Sequence, residues 1–513
     1  MPLSHIPHLL LTRLKIPKFY LYLLLLFSLP VYSLPTTPQP RDIFSSDNIW
    51  ENLIYFHDAE FKIRNRKFLF SFDNPSPKLE KQLTIQAIKD SPRVACRFPA
   101  RYSYLLQKGL LEKQKLNCPE LTEYRNKVAT DRFYYIFASK NYSSITSMMG
   151  HGMIAAEGTN SRGKKVRHAY SFFADLSDTN LPSLFYNSFL GGMDGALVLR
   201  PLKNELDRYL VKEGRELWQL ELKLSHKKRE LLRDALWELK DIEPEYLFHT
   251  FNCATLLQYT LAIVAPETLN HRTFFTSPLD IYRALQEEHY ISHIQIRYAQ
   301  NALENFGATY QAVQPTEELQ DSSISLYYKD GLHLTFMSAS HSFNTPQVST
   351  VSQTALKIGA IDLNLSKKEI EELALYEFLD ITPKKKVSSH FFIGSSKNDY
   401  DNFNKQTINT SISFGKAWEN DRVSFSLLSG LRVQPKTLIN PLLEGYLSYK
   451  ISDYTTITST ANYQTDLHQS QYKLKANINK RIGKSHVLFF GAETTKPRNY
   501  DKLNFFTGLE YYF

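Results

Sequence analysis

A chain of 513 residues carrying 61 basic and 52 acidic side chains has room for two or three domains with sizeable cores. Its net charge of +9 is too mild a surplus to argue for nucleic acid as a partner. The first 18 residues hold Arg13, Lys15 and Lys18 and no acid, and an apolar run from Phe19 to Leu29 and then Val31-Tyr32-Ser33 follow. This reads as a secretory signal peptide, residues 1–33, because the run is too short to span a bilayer comfortably; an uncleaved anchor is the other reading. No cysteine follows the run, so the chain is not itself expected to be a lipoprotein, and cleavage after Ser33 leaves a charge of +6.

Residues 34–130 read as a helical subdomain. It opens with DNIWENLIYFHDAEFKIR as a helical stretch, breaks at Asn74-Pro75-Ser76-Pro77, and continues as a helical pair bearing Cys96 and Cys118. Residues 131–320 mix strand and helix. The strand Phe133 to Ala138 leads to Ser-Met-Met-Gly-His-Gly-Met-Ile (147–154), a polar turn from Gly158, and the strand His168 to Ala174, the last two strands forming an antiparallel hairpin. A charged helix over about 223–241 precedes Tyr-Leu-Phe-His-Thr-Phe-Asn-Cys-Ala-Thr-Leu-Leu (246–257).

Three cysteines in an exported chain leave one over. An oxidising compartment joins Cys96 to Cys118 and leaves Cys253 free. A lone cysteine is often a small buried apolar residue. Here apolar Leu256, Leu257, Leu261 and Val264 follow at helical spacing, which puts Cys253 at a helix N-terminus, where unpaired N–H groups are expected to lower the thiol pKa. His151, between two glycines, is the candidate proton shuttle. His249 lies four residues before Cys253, but no CxxC or HExxH accompanies it, so neither a metal nor any other cofactor is expected. Arg162, Lys164, Lys165 and Arg167 make a basic turn that could meet a phospholipid headgroup, with a solvated turn as the plainer reading.

From residue 321 to 513 the pattern alternates. Tyr472, Leu474, Ala476, Ile478 and Ile482 share one face while Lys473, Lys475, Asn477, Asn479 and Arg481 share the other. The segments around Phe425, Leu447 and Phe505 repeat it. Eight clear strands from about 388, with four weaker ones between 323 and 381, suggest an antiparallel transmembrane barrel of 8–12 strands, about 12 being favoured, with a soluble barrel or sandwich as the alternative. The connections TKPRNYDK, DLHQSQ and VQPKTLIN look long and alternate with short turns near Gly483, Ser452 and Asn420, as periplasmic turns and external loops do.

The order SMMGHGMI, HAYSFFAD, LWEL and then Y-x-F-x-x-x-N-C-A resembles the periplasmic cysteine domain of the Lnb-type lipoprotein N-acyltransferase family over roughly residues 45–290. Met149 stands where the family pattern usually has an aromatic. The resemblance implies an α+β, circularly permuted papain-like (NlpC-type) periplasmic domain ahead of an all-β outer-membrane barrel. Cys253 would be the nucleophile and His151 the general base. A third polar group should hold the imidazole, with Ser171 the first choice and His168 the second, both on the neighbouring strand. Oxyanion stabilisation would come from the Cys253 N–H, joined by Asn252 unless Asn252 caps the helix.

The expected activity is therefore cysteine-dependent acyl transfer at the outer membrane, from membrane lipids to lipoprotein N-termini. A cysteine amidase or peptidase acting on cell-wall peptides is the alternative, since this fold hosts both. A passive porin or adhesin barrel comes third.

Overall fold

A computed structural model describes residues 48–513 apart from 140–149, 175–186, 188–190, 248–249, 273–275, 300–313, 318, 321, 342, 345–353, 382–386, 397–407, 421, 435–436, 466–469 and 497–501. The expected signal peptide and His249 lie outside the described residues.

The helical part opens with α1 (Ile49–Leu53), far shorter than the helix expected over that stretch. Tyr55, Asp58 and Ala59 take positive φ values of 54°, 56° and 60°, which an α-helix cannot accommodate. The chain turns there into a small hairpin, β1 (Phe56–His57) with β2 (Glu60–Phe61). Next come α2 (Pro77–Asp90), capped by the Ser76 side chain, then α3 (Arg93–Arg97), α4 (Pro99–Gln107) and α5 (Pro119–Lys127). A disulfide joins Cys96 to Cys118 with Cα atoms 5.5 Å apart, and Cys253 is free.

The sheet domain comprises β3 (Arg132–Ala138), β4 (His151–Thr159), β5 (Lys165–Ala174), β6 (Met193–Pro201), α6 (Leu202–Asp207), β7 (Leu217–Leu222), α7 (His226–Glu238), β8 (Glu245–Tyr246), α8 (Cys253–Ala262), α9 (Pro278–Glu287) and β9 (Ile291–Arg297). Its strands pair in the order β8-β6-β5-β4-β3-β7-β9, all antiparallel, and β4 with β5 is the expected hairpin.

Both faces of this sheet are covered. One carries Ile136, Ala138, Met153 and Ala155 against Leu202 and Tyr209. The other carries Tyr135, whose hydroxyl donates to Pro278 O at the start of α9 (2.7 Å). Arg101 ties the helical part to α7. Its guanidinium meets Glu80 at 3.1 Å and Glu238 at 3.0 Å, with all three side chains at most 2 % exposed, and the Phe68 and Phe98 rings lie over it.

Twelve antiparallel strands from β10 (Ser323–Tyr328) to β21 (Lys502–Tyr512) form a closed barrel, four of them before residue 381 and eight after 387. Closure comes from pairing of the first strand with the last, Ser323 opposite Tyr512.

Polarity is inverted relative to a soluble core. Leu474 is 45 % exposed and Phe505 59 %, whereas the inward Asn477 and Asn479 are 5 % and 2 % exposed. An apolar face turned outward excludes the soluble sandwich and is what a lipid-facing wall requires. Inside, His390 meets Glu444 at 2.9 Å, and Lys357 bridges Glu372 and Glu377 at 3.3 and 2.8 Å.

The loop-length pattern fits only partly. VQPKTLIN is mostly strand, with Gln434 paired to Thr437. The strands that end at His341 and begin at Thr354 are also far apart in sequence on the rim where β10 begins, a rim expected to carry short turns.

Candidate active site around Cys253

Asn252 breaks into α8 from extended backbone (φ −102°, ψ −171°). Its side-chain oxygen accepts from the N–H groups of Ala254 (2.8 Å) and Thr255 (3.1 Å), and its amide donates to Thr276 O (3.0 Å). Asn252 is thus a helix cap, the reading preferred to an oxyanion donor, and a tie to the segment before α9. Helix α8 is buried on all sides, so its polar members find local partners: Gln258 bonds Thr268 O, and Thr260 bonds Tyr55.

This cap leaves the Cys253 side chain at the helix start, partly exposed. The N–H groups of Gly152 and of Cys253 itself turn towards the sulfur, that of Ala254 is shared with the Asn252 cap, and the Tyr246 hydroxyl faces the sulfur. Even so, burial pushes the thiol up to about 11, outweighing those N–H groups and the charge of Arg215, which pull it down. The expectation of a thiolate near neutral pH is therefore corrected. The helix terminus does favour the anion, but the apolar surroundings disfavour it more.

Gly152 makes this arrangement possible. A β-carbon there would lie 2.5 Å from the Tyr135 hydroxyl, so only glycine brings that main chain up to the sulfur. At Gly150, φ is +85° and a β-carbon would lie 2.7 Å from the Phe137 ring.

His151 begins β4 between these glycines, and strand alternation turns its side chain to the face opposite Gly152. The imidazole is sandwiched: Phe173 lies at 4.9 Å and 7° on one side, Tyr209 at 5.8 Å and 21° on the other. Arg200 and Arg208 sit over Phe173, and Arg208 and Arg215 over Tyr209. Burial first, then the positive Arg215 and Arg208, lower the imidazole pKa to about 3, so it is neutral at physiological pH. Its Nε2 is buried without a hydrogen-bond partner among the described residues. No hydrogen bond joins it to Cys253 among them.

Ser171 stands opposite Met153 and shares the face of His151, but its hydroxyl, 1 % exposed, bonds neither the imidazole nor any other described group. His168 stands opposite Ala156, five residues along the strand and so about 16 Å from His151. Its partner is the main chain of Lys127, and burial lowers its pKa. That separation removes His168 as a support for His151. The basic turn is likewise at the far end of the hairpin, organised by the Asn160 side chain, with Arg167 paired to Glu157 at 2.9 Å.

Tyr246, Tyr135, Phe173, Tyr209 and Arg215 were not singled out from the sequence. Tyr246 alone carried a signal, as the first residue of the motif that ends in Asn-Cys-Ala. Among the described residues no group of three or more His, Cys, Asp or Glu could hold a metal ion.

Residues 120–288, which contain every one of these site residues, match the family described as the Lnb N-terminal periplasmic domain. No curated protein matches the chain. Among solved structures, it is similar to the KdgM porin in complex with disordered oligogalacturonate at 10 % identity and TM-score 0.26, over 37 % of this chain and 98 % of that one. It is similar to the NanC porin at 7 % identity and TM-score 0.27, over 37 % and 100 %. An outer membrane channel from Pseudomonas putida F1 matches at 10 % identity and TM-score 0.26, over 40 % and 97 %.

Proposed function

Taking residues 120–288 as an Lnb-type periplasmic domain, we propose that this chain is a thiol acyltransferase, in which Cys253 accepts a fatty acyl chain from a membrane lipid ester and passes it to the N-terminal amine of a lipoprotein. The observation that carries this reading is one partly exposed cysteine at the start of a buried helix, with the Gly152 N–H and its own N–H turned to its sulfur, inside the matched domain. Those groups serve charge on sulfur and on a carbonyl oxygen bonded next to it. The order of β4 before α8 fits a permuted papain-like arrangement.

The thiol gives its proton to neutral His151 Nε2 as the S–C bond forms. The ester C–O bond then breaks, and the departing alkoxide takes that proton. In the second half the amine attacks the thioester carbonyl, imidazole takes the amine proton, and the sulfur leaves. In the structure the imidazole lies on the sheet face opposite the one Gly152 presents, so proton transfer from the thiol requires His151 to leave its stack on Phe173 and Tyr209. The outward apolar wall of the barrel would hold the domain at the outer membrane, where acyl esters and lipoprotein N-termini are concentrated.

The test incubates the purified protein with labelled phospholipid and a diacylated lipopeptide. Label should reach the lipopeptide amine through a thioester on Cys253, and Cys253→Ala should abolish both. Cleavage of cell-wall peptides through the same cysteine, with no transfer, would instead assign the site to an amidase.

A further inference from the structure

We propose that Tyr246 is a further catalytic residue of this site: its phenolic O–H donates to the Cys253 sulfur whenever the sulfur carries charge, as attacking thiolate and as the group expelled from the thioester. This rests on the reading of Cys253 as nucleophile.

The backbone is built to deliver this hydroxyl. The two residues of β8 pair with β6, Met193 opposite Tyr246 and Asp194 opposite Glu245. Two glycines of that neighbourhood make room, since a β-carbon on Gly192 would strike the Glu245 carboxylate and one on Gly195 would lie 2.8 Å from Pro244 O. Gly195 N–H also donates to Pro244 O at 2.9 Å, fixing the residues before β8. Beyond Tyr246 the chain folds straight back. Leu247 and Phe251 exchange main-chain hydrogen bonds of 3.1 and 2.9 Å, which sets Tyr246 beside Asn252 and Cys253. The Tyr246 ring rests on Phe172 at 5.5 Å, and Phe251 rests on the same ring at 6.3 Å. The hydroxyl arrives at the sulfur and the N–H of Cys253.

Other groups act on the sulfur differently. Arg215 contributes charge only, its guanidinium being spent on Ser139 O, Ala138 O and Glu213. Tyr135, which also lies within electrostatic reach of Cys253, commits its proton to Pro278 O. Burial keeps the Tyr246 phenol protonated far above its ordinary range, so it donates without ever transferring its proton. The thiol proton still goes to the base, and proton bookkeeping of the two half-reactions is unchanged. A hydrogen bond to a charged sulfur is about twice as strong as one to a neutral group, so the contact favours both states in which the sulfur is anionic.

Cys253 is the free cysteine among the described residues, so iodoacetamide labelling of the full chain reads its thiolate without any substrate. Tyr246→Phe keeps the ring on Phe172 and removes the hydroxyl. Labelling at pH 8 should slow about tenfold, with the pH profile displaced upward by about one unit, and acyl-enzyme formation should fall at least as far. Replacing Tyr246 by a trifluorotyrosine, a stronger donor, should displace the profile downward. Profiles that superpose on the parent for both variants would overturn the proposal. Failure of the parent to form any acyl-enzyme would instead overturn the acyltransferase reading and leave the labelling result to decide the contact.

Discussion

The imidazole of His151 lies flat against the ring of Phe173, centroids 4.9 Å apart and planes 7° apart. Stacking therefore holds the imidazole where no hydrogen bond to its Nε2 does among the described residues. Burial holds the imidazole pKa down to about 3 from an ordinary 6.5. In the unfolded chain His151 takes up its proton as pH falls through 6.5, while in the folded chain it does not until about 3. Its contribution to stability is thus lost on acidification across that window and regained as pH rises.

Phe173→Ala removes one side of the stack and admits water. The His151 pKa should rise towards its ordinary value. Imidazole NMR titration checks this: a resonance that stays untitrated down to pH 5 in the variant would show that Phe173 does not shield the ring.

Gly152→Ala places a methyl 2.5 Å from the Tyr135 hydroxyl. Overpacking of this kind costs about 1–3 kcal/mol, and here it also pushes the Gly152 N–H away from the sulfur. Lower thermal stability and slower thiol labelling should appear together. A variant of normal stability with unchanged labelling would contradict the proposed approach of this main chain to Cys253.

Arg101→Met strands Glu80 and Glu238, both buried, without their cation. Breaking one partner of such a network costs about 3–5 kcal/mol. Burial already pushes the Glu238 carboxyl up to about 7. In the variant it should take a proton readily below that pH, so the loss measured at pH 5 should be smaller than at pH 8. Equal losses at both values would show that Glu238 remains charged.

Leu474→Arg sets a charge on the outward wall and should cost about 2–4 kcal/mol near the bilayer midplane, whereas a charge at the inward Asn477 should be tolerated better. Heat-modifiable gel migration and unfolding in lipid vesicles measure both. Equal tolerance would mean that the wall does not face lipid.

The barrel was legible because each of its strands shows water on one side and lipid on the other, so parity alone sorts Leu474 from Lys475. The sheet domain lacks that contrast. Both faces around Gly-His-Gly-Met-Ile are buried, so alternation could not tell which face α8 covers, and the pairing of His151 with Cys253 was read as direct. The helix start at Cys253 was legible from Asn252 and the apolar spacing after it. The sulfur pKa was not, since it turns on burial by residues distant in sequence. Positive φ at Tyr55, Asp58 and Ala59 ended α1 without a glycine or proline to announce it.

The seam of the barrel fixes an order of assembly. Because Ser323 pairs with Tyr512, and Phe513 N–H reaches Ser322 O at 2.9 Å, the wall cannot close until β21 has been delivered. Everything before β10, including the Cys96–Cys118 bridge and the Cys253 helix, is available for folding earlier. A chain cut short within β21 would then carry a finished thiol domain on a sheet with two raw edges, each free to pair with the next copy.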